Sequence, residues 1–342
     1  MEKNCIAIFP APGTDNRSNL FISNMFDLLS EQYDIVGIEQ VSNDINEIKK
    51  VKAVILNWME NSLSDHVKRN LILYKMMGVK ICWVFHNRVP HDCSKKSDIK
   101  NMEWLADFCN YVIVLSNTSK EYLPHARRNI RKCVYMPLIN YIGNYPVCKR
   151  NIRREHEIAE DEFVFSFIGI LRPYKNIEVV IRAFKDLALK KAKLLIAGSE
   201  GKQNYVSKLR MLCGEEKNII LDAGFISNGE MEAYLRASDV LTLPYSKVSS
   251  MNSSAMIMAF SYGRTVIIPE ITMARDMKEE DFFFVYDYAD EAENIRRMKE
   301  KMLEAYQMGQ DGIRIMGEKA RLYVTKNNSG EKVWEGLRQL GI

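Results

Sequence analysis

Two cations lie in the short segment that joins a predicted strand to a predicted helix, within FSFIGILRPYKNIEVVIRAF (165–184). The apolar run ends at Gly169, Arg172 and Lys175 follow, and the helical pattern begins near Asn176. A helix N-terminus carries partial positive charge and unbonded backbone N–H groups, which favour anions. Two side-chain cations beside it favour phosphate, and Pro173 stiffens the loop that holds them. We therefore predict a phosphate site here rather than two solvated surface charges.

A second predicted anion site lies in PYSKVSSMNSSAMIMAFSYG (244–263). A predicted strand ends at Tyr245, and short polar side chains crowd the start of an Ala- and Met-rich helix: Ser249, Ser250, Asn252, Ser253 and Ser254. Hydroxyls and free N–H groups at a helix start suit an anion, and the alternative is a serine-rich cap on a buried helix. Ligands of open α/β sheets bind at the carboxyl ends of strands, which both segments follow. Together the two loops predict a diphosphate site.

The N-terminal half has a comparable loop, FPAPGTDNRSN (9–19), after its first predicted strand. Gly13 permits close backbone approach by a ligand, and Asp15 is a carboxylate whose alternative role is a turn or helix cap. The loop has no G-x-G-x-x-G fingerprint, and G-x-x-x-x-G-K-[ST] occurs nowhere in the sequence. This disfavours a nicotinamide enzyme and a P-loop nucleotide hydrolase.

Polar residues also follow a later strand, in WVFHNRVPHD (83–92). His86 is predicted to end the strand and to point into a cleft, with Asn87, His91 and Asp92 behind it. The two histidines are not metal-like, because no third ligand follows at a recognisable spacing. We therefore predict that this half supplies an acceptor site and further catalytic groups, and we predict no metal.

The elements that must position these loops are predicted from hydrophobic periodicity. Continuous apolar runs such as KAVILNW and KICWVF alternate with amphipathic segments, which favours parallel sheets covered on both faces. The pattern stops between Pro137 and Glu160, a predicted linker with a hinge near 143–146, and a second series follows. The predicted fold class is α/β, with two doubly wound Rossmann-like domains facing a cleft and a C-terminal helical tail. Predicted boundaries are 1–150, 151–326 and 327–342, the last a helix that could cross back to the first domain.

Composition sets broad limits. A length of 342 residues favours two domains, and 47% hydrophobic with 27% charged residues is ordinary for a globular protein. The formal net charge of +4 does not favour a nucleic-acid partner. The seven cysteines form no C-x-x-C pair, so we expect reduced thiols. The sequence has no predicted membrane span or signal peptide, and the expected location is cytoplasmic.

In combination, these motifs resemble the GT-B glycosyltransferases, of the group 1 or family 4-like type that builds bacterial polysaccharides. FIGILRPYKNIEVVIRAF resembles their donor-phosphate segment, and KLLIAG, LDAGFISNGEMEAYLRASDVLTLPY and AFSYGRTVIIP follow in the family's order. WVFHN with PHD and YVIVLS resembles the acceptor-domain signature of a subset. The resemblance implies a 1–150 acceptor domain, a 151–326 nucleotide-sugar domain and sugar transfer without a cofactor or metal.

The resemblance also implies roles for residues. Arg172 and Lys175 would bind the diphosphate of a UDP- or GDP-type donor, and backbone near Phe225 and Ile226 would meet the nucleobase. His86 would contact the donor sugar or its phosphate. The stereochemistry of transfer stays open: inversion needs a general base, for which Asp15 is the first candidate and Asp92 the second, and retention needs none. The remaining implied donor-binding residues are Gly13, Gly169, Gly198, Tyr245, Ser250, Ser253 and Ser254. Asn87, His91 and Asp92 would lie on the acceptor side.

One departure from the family concerns a pair of glutamates that usually flank the serine-rich loop. Counting back from Gly263, those places hold Ser250 and Met258. The second glutamate usually binds the nucleotide ribose, and a methionine cannot accept that hydrogen bond. Two alternatives therefore stay open: a nucleotide-sugar epimerase of the same fold, and a non-catalytic relative that binds a nucleotide or glycan.

The expected acceptor is a glycan or a lipid-linked glycan. Basic residues cluster in ARRNIRK (126–132) and KRNIRR (149–154), and such clusters favour contact with an anionic membrane surface. The alternative is a solvated surface. If the membrane interpretation holds, the protein lies at the inner face of the cell membrane.

Overall fold

The computed structural model describes residues 4–11, 19–40, 44–89, 96–202 and 204–342. Within these ranges the strands are β1 Cys5–Phe9, β2 Asp34–Gly37, β3 Val51–Asn57, β4 Lys80–Phe85, β5 Tyr111–Val114, β6 Cys133–Tyr135, β7 Phe163–Ile168, β8 Ala192–Ala197, β9 Ile219–Asp222, β10 Val240–Thr242, β11 Thr265–Pro269 and β12 Phe284–Tyr286. The helices are α1 Leu20–Ser30, α2 Ile45–Lys50, α3 Asp65–Met76, α4 Lys96–Phe108, α5 Ala126–Asn129, α6 Ile152–Glu155, α7 Ile177–Leu187, α8 Tyr205–Cys213, α9 Met231–Ala237, α10 Ser254–Ser261, α11 Thr272–Asp276, α12 Glu291–Asn327 and α13 Gly330–Gln339.

The strands form two six-stranded sheets in which all the pairings between neighbouring strands are parallel. The first has the order β2-β1-β3-β4-β5-β6 and the second the order β12-β11-β10-β7-β8-β9. The order reverses between β1 and β3 in the first sheet and between β7 and β10 in the second. A doubly wound sheet binds ligands at the carboxyl ends of the two strands that flank this reversal. The predicted parallel α/β architecture is confirmed.

The composition of the strands explains why both sheets are covered on each face. All six residues of β7 are buried, and β4 is buried from Ile81 to Phe85. Strands that alternate apolar and polar residues would leave one face to solvent, whereas these continuous apolar runs need helices on both faces. The sheets therefore fix the strand ends rigidly, and the loops beyond those ends carry the candidate site.

Contacts within the chain define two compact units. The first comprises the described parts of Met1–Ile139 together with Val248–Asn252 and Asn328–Ile342, and the second comprises Asn140–Lys247 and Ser253–Asn327. The predicted boundary at 150 is therefore too late. Residues 140–150 belong to the second unit because Tyr141 N donates to Ser261 Oγ (2.9 Å) and Tyr145 N donates to Tyr262 Oη (2.7 Å).

The end of the chain is part of the first unit. Asn328 Nδ2 donates to Leu138 O at 2.6 Å, and Lys80 Nζ donates to Leu340 O at 2.9 Å. The predicted tail helix at 327–342 corresponds to α13, whose buried face includes Trp334 and Leu337.

The long helix α12 packs directly on the end of α10. It is interrupted at Gly309, where φ is 73°. Further along, a Cβ at Gly317 would lie 2.0 Å from Gly263 O, just after α10. Only glycine permits this approach, because real Cβ atoms do not come that close to a backbone oxygen.

This packing predicts the effects of two Gly→Ala substitutions within α12. Gly317→Ala should lower the free energy of unfolding by about 1–3 kcal/mol, since the new methyl group meets backbone that cannot move aside. Gly312→Ala would meet the side chain of Met308, which can rotate away. It should therefore change stability by less than about 1 kcal/mol, helped by the better helix propensity of alanine. Urea unfolding of both variants measures the difference, and equal losses would contradict the assigned packing.

Candidate functional site

The loop after β7 is a short 3₁₀ turn whose ends are fixed by backbone hydrogen bonds. Lys175 N donates to Arg172 O and Asn176 N donates to Pro173 O, each at 3.0 Å. Leu171 ties the loop to the segment after β8, because Leu171 N donates to Ser199 O at 2.8 Å and its carbonyl accepts from Gly201 N at 3.0 Å. The predicted cations therefore lie on a turn held by two strands, one turn before α7 begins.

The Arg172 side chain lies against the backbone of the neighbouring loop. A Cβ at Gly201 would come within 2.5 Å of Arg172 Cγ and 2.7 Å of its Nε. A side chain at position 201 would thus displace Arg172, so the absence of one lets the arginine stem lie in this position.

The Lys175 ammonium lies at the reversal of strand order in the second sheet. Its Nζ is 5.6 Å from the ring centre of Phe167 on β7 and 5.3 Å from that of Tyr245, which follows β10. Burial, and after it the charge of Arg172, lowers the pKa of Lys175 to about 8. Both effects disfavour the cation, and the two aromatic faces offset them in part. A bound anion would offset them much more.

Two of the predicted donor-binding glycines have a packing role in the structure. Gly198 has a φ of 145°, and a Cβ there would lie 2.0 Å from Gly169 O. A Cβ at Gly169 would lie 3.4 Å from Lys175 Nζ. Both glycines therefore let the ends of β7 and β8 and the lysine approach one another closely.

Tyr245 connects this turn to the start of α10. Its side chain is buried, and burial holds the pKa of its phenol far above the ordinary value, although a hydrogen bond from Ser253 opposes that shift. Ser253 caps α10, because its Oγ accepts from Met256 N at 3.1 Å. Ser254, the first residue of α10, is exposed and is hydrogen-bonded to the Tyr141 hydroxyl. Lys175, Tyr245 and Ser253 thus form a continuous set of contacts across the strand reversal.

The serine-rich loop is divided between the two compact units. Residues 248–252, here named the strap, belong to the first unit, whereas Ser253 and Ser254 belong to the second. Ser250 is buried and forms an isolated antiparallel β-bridge with Asn87. Arg88 N donates to Ser249 O at 3.3 Å. Backbone pairing with Asn87 thus holds Ser250 within the first unit, and its role in donor binding stays a prediction.

Met251 is the apolar anchor of the strap. It is 1% exposed and belongs to the hydrophobic core of the first unit, with Phe85 and Val114 among the members. The next residue of the strap, Asn252, donates from its Nδ2 to His86 O at 3.1 Å. The strap thereby contacts the backbone of three successive residues, His86, Asn87 and Arg88.

His86 follows β4 directly and is held by polar and aromatic partners. Its Nε2 lies 3.0 Å from Asn57 Oδ1, while Asn57 Nδ2 donates to Phe9 O at 3.0 Å. Since Asn57 uses its amide nitrogen for Phe9, its oxygen accepts and the His86 Nε2 donates. The imidazole stacks on Trp58 with a centroid distance of 4.2 Å and an interplanar angle of 16°, and Phe21 packs edge-on at 5.1 Å. Only 8% of His86 is exposed.

The sequence motifs did not include Asn57 and Trp58. Both end the apolar run KAVILNW after β3, beside the strand reversal of the first sheet. A polar residue at a strand end is the same signal that identified His86, so it could have identified Asn57. Trp58 has a left-handed backbone conformation (φ 50°), which no sequence pattern indicates.

The loop after β9 carries the residues predicted near a nucleobase. Phe225 is 73% exposed, and Ile226 is partly buried. Glu230 Oε2 accepts from both Ser227 N (3.1 Å) and Ser227 Oγ (2.7 Å), and Arg150 pairs with Glu230 at 2.6 Å. The loop is therefore stabilised at its far end while Phe225 projects from it.

Four predicted residues lie outside the described residues, namely Gly13, Asp15, His91 and Asp92. The position of the missing second glutamate, Met258, is described: its side chain is buried and its Sδ accepts from the Tyr145 hydroxyl at 3.3 Å. Among the described residues, no group of three or more His, Cys, Asp or Glu side chains is arranged to hold a metal ion. No described helix combines the length and apolar composition needed to cross a bilayer.

Half of the basic residues predicted to meet a membrane have partners within the chain. Arg128 pairs with Asp107, and Lys132 Nζ donates to Asp107 O at 2.7 Å. Arg150 pairs with Glu155 and Glu230, and Arg153 pairs with Asp239 at 2.9 Å, where both side chains are only 12% exposed. Arg127, Arg131, Lys149 and Arg154 are exposed.

Comparison with known proteins identifies the region that contains the Lys175 turn, Tyr245 and α10. Residues 149–313 match the family of glycosyl transferases group 1. This region of the chain is thus similar to a group 1 glycosyltransferase domain. A segment of 97 residues is 33% identical to an uncharacterized glycosyltransferase of Methanocaldococcus jannaschii, covering 28% of this chain and 25% of that protein. A segment of 101 residues is 24% identical to the GDP-mannose:glycolipid 4-beta-D-mannosyltransferase of Xanthomonas campestris pv. campestris, covering 30% of this chain and 28% of that protein. The matches thus span about a quarter of these curated relatives.

Solved structures extend the similarity of fold to nearly the whole chain. Anabaena HepE in complex with UDP superimposes with a TM-score of 0.74 at 12% identity, covering 99% of this chain and 100% of that chain. Sucrose-phosphate synthase from Thermosynechococcus elongatus gives a TM-score of 0.71 at 13% identity, covering 99% and 98%. The chain thus has the GT-B fold, as the sequence predicted.

The strap predicts a stability effect that a surface methionine would not share. Met251→Ala should lower the free energy of unfolding by about 2–5 kcal/mol, because it leaves a cavity in the core. It should also speed amide hydrogen exchange at Asn87 and Arg88, which pair with the strap. Met76→Ala, at a residue that is 79% exposed, is the matched control and should change neither quantity. Unchanged exchange at Arg88 in a destabilised Met251→Ala protein would show that the anchor does not hold this loop.

Proposed function

We propose that this glycosyltransferase moves a hexosyl group, without a metal ion, from a UDP- or GDP-type sugar donor to a glycan or lipid-linked glycan. The observation that carries the proposal is the Lys175 ammonium, partly buried at the strand reversal beside Tyr245, with Arg172 on the same turn. Its environment disfavours the isolated cation, so it is suited to stabilise a bound anion.

The chemistry requires charge stabilisation on the leaving group. As the bond between the sugar and the diphosphate breaks, negative charge grows on the diphosphate oxygens. Cations that are already in place stabilise that charge most in the transition state, where it is largest. The α10 start, capped by Ser253, adds partial positive charge of the same kind. Neighbours of known structure bind UDP and a relative uses GDP-mannose, which supports a nucleotide-sugar donor.

The first unit would bind the acceptor. His86 lies at the carboxyl end of β4, and its Nε2 proton is engaged by Asn57. The imidazole is thus held in one orientation, as a group that contacts a sugar hydroxyl needs to be. A relative acts on a glycolipid, which supports a lipid-linked acceptor in surface-polysaccharide synthesis.

Contact with an anionic membrane is part of the same proposal. Ile130, which is 43% exposed, lies between the exposed cations Arg127 and Arg131, and an apolar residue among cations suits a headgroup region. This contact would place the protein at the inner face of the cell membrane.

A second candidate is nucleotide binding without transfer. It is favoured by Met258, which stands where the resemblance places a ribose-binding glutamate. The Met258 Sδ already accepts a hydrogen bond from the Tyr145 hydroxyl. Turnover assays distinguish the two functions, and release of free sugar without an acceptor would instead identify an epimerase.

The decisive experiment combines binding and turnover. Thermal unfolding with UDP, GDP, ADP and their sugars should show stabilisation by one nucleotide family, about 2.7 kcal/mol at a hundredfold excess over Kd. Lys175→Ala and Arg172→Ala should each lower kcat by about 10²–10³ without unfolding the protein. Lys217→Ala, an exposed residue just before the amino end of β9, is the matched control and should keep full turnover. Full turnover in either the Lys175→Ala or the Arg172→Ala variant would refute the phosphate assignment.

The pKa of Lys175 predicts a pH dependence of nucleotide affinity. The lysine is cationic below a pH of about 8 and neutral above it, and a diphosphate binds the cation better. Affinity for the nucleoside diphosphate should therefore fall as pH rises from 7 to 9, with proton uptake on binding near pH 8. Lys175→Arg keeps its charge throughout this range, since arginine stays protonated, and should lose this pH dependence. Calorimetry in buffers of different ionisation enthalpy measures the uptake, and identical pH profiles for both proteins would exclude Lys175 as the titrating group.

A further inference from the structure

The first unit contains a concave pocket that the motifs did not predict. Its volume is about 340 Å³, within the range of small-molecule sites. Six apolar side chains line it, from the end of β1, the segments after β2 and β3, and α3: Phe9, Ile38, Met59, Val67, Leu71 and Tyr74. The polar lining residues are Glu39, Ser62, His66 and Asn70. The pocket lies at the carboxyl end of the first sheet, beside the reversal between β1 and β3.

The depth of the pocket is apolar and its polar groups are at the rim. Leu71 and Tyr74 are at most 2% exposed, and burial raises the pKa of the Tyr74 phenol, which is therefore neutral at neutral pH. Glu39, Ser62 and His66 are exposed, and Asn70 Nδ2 already lies 3.3 Å from His66 Nε2. A sugar ring buried here would leave hydroxyls without enough partners, whereas a hydrocarbon loses nothing on leaving water.

The pocket adjoins the His86 cluster through two of its own residues. The carbonyl of Phe9 accepts from Asn57, which in turn bonds the His86 ring. Met59 directly follows Trp58, on which His86 stacks. A molecule with a hydroxyl-bearing group beside His86 could thus extend an attached apolar group into this pocket.

We propose that the pocket binds the aliphatic aglycone of the acceptor, meaning the hydrocarbon that is linked to the acceptor sugar. The inference rests on the proposed function and narrows its acceptor to a sugar with an attached hydrocarbon. The rim, with His66 and Glu39, would lie at the junction between the acceptor sugar and its hydrocarbon.

Alkyl glucosides below their micelle concentrations test the pocket directly. Each methylene that enters it should tighten binding about fourfold, so octyl glucoside should bind more than tenfold tighter than hexyl glucoside. Glucose alone should bind much more weakly than either. Titration calorimetry or ligand-observed NMR measures these affinities in the full chain without any donor.

Substitutions on α3 separate the pocket from other apolar surfaces. Val67→Trp fills the pocket and should abolish the difference between octyl and hexyl glucoside. Ile72→Trp places the same bulk on the exposed side of α3, where the side chain is 42% exposed, and should preserve that difference. His66→Trp, at an exposed rim position, gives a second test that does not disturb the core, and it should weaken octyl glucoside about tenfold.

The outcomes distinguish this inference from the proposed function. Affinity that is independent of chain length in the wild type, or a chain-length difference that survives Val67→Trp, would overturn the aglycone site. Glucose that binds as tightly as octyl glucoside would identify a sugar subsite instead and would likewise overturn it. Nucleotide stabilisation of the same preparations reports on the donor site alone, so loss of one binding event with retention of the other shows which proposal fails.

Discussion

A partly buried ammonium between two aromatic rings is the constraint on which the candidate donor site depends. Lys175 Nζ lies over the rings of Phe167 on β7 and Tyr245 after β10, two strands that pair directly. The surrounding turn has no freedom to place it elsewhere, because Leu171 is hydrogen-bonded to the β8 loop and Gly198 lies against Gly169. Such a cation is costly to desolvate, and burial accordingly lowers the pKa of Lys175. An anion bound beside Lys175 would offset this cost, as the proposed donor site requires.

The first unit depends on a different kind of interaction, the packing of the strap, which is distant in sequence from the rest of that unit. The strap comes from the loop between β10 and α10, yet Met251 lies in the core around Phe85, and Ser250 pairs with Asn87. The strap ends at Asn252, whose side chain donates to His86 O, and the next residue is the α10 cap Ser253. The chain therefore assigns adjacent residues to the His86 loop and to the α10 start.

Sequence patterns predicted the parts of this molecule that depend on local periodicity. The runs KAVILNW and KICWVF are strands within one residue of their predicted ends, because continuous apolar runs of this length suit a parallel sheet covered on both faces. The short edge strands β2 and β6, DIVG and CVY, were not identified, since three or four residues carry too weak a periodicity. The linker was also interpreted too broadly: α6 lies within it, and Arg153 pairs with Asp239 beside β10. That pairing depends on contacts over 80 residues apart, which no local pattern reveals.

The candidate site was predictable to the extent that it lies at strand ends. Arg172, Lys175, Tyr245 and His86 all follow apolar runs, and the structure places them at the carboxyl edges of their sheets. The assignment of Ser250 and Ser253 to different units was not predictable, because five polar residues in one loop give no sign of which core the intervening methionine enters. The apolar pocket was missed for the same reason. Its walls come from residues scattered between Phe9 and Tyr74, each of which reads in sequence as an ordinary core position, and only the fold shows that the space between them is unfilled.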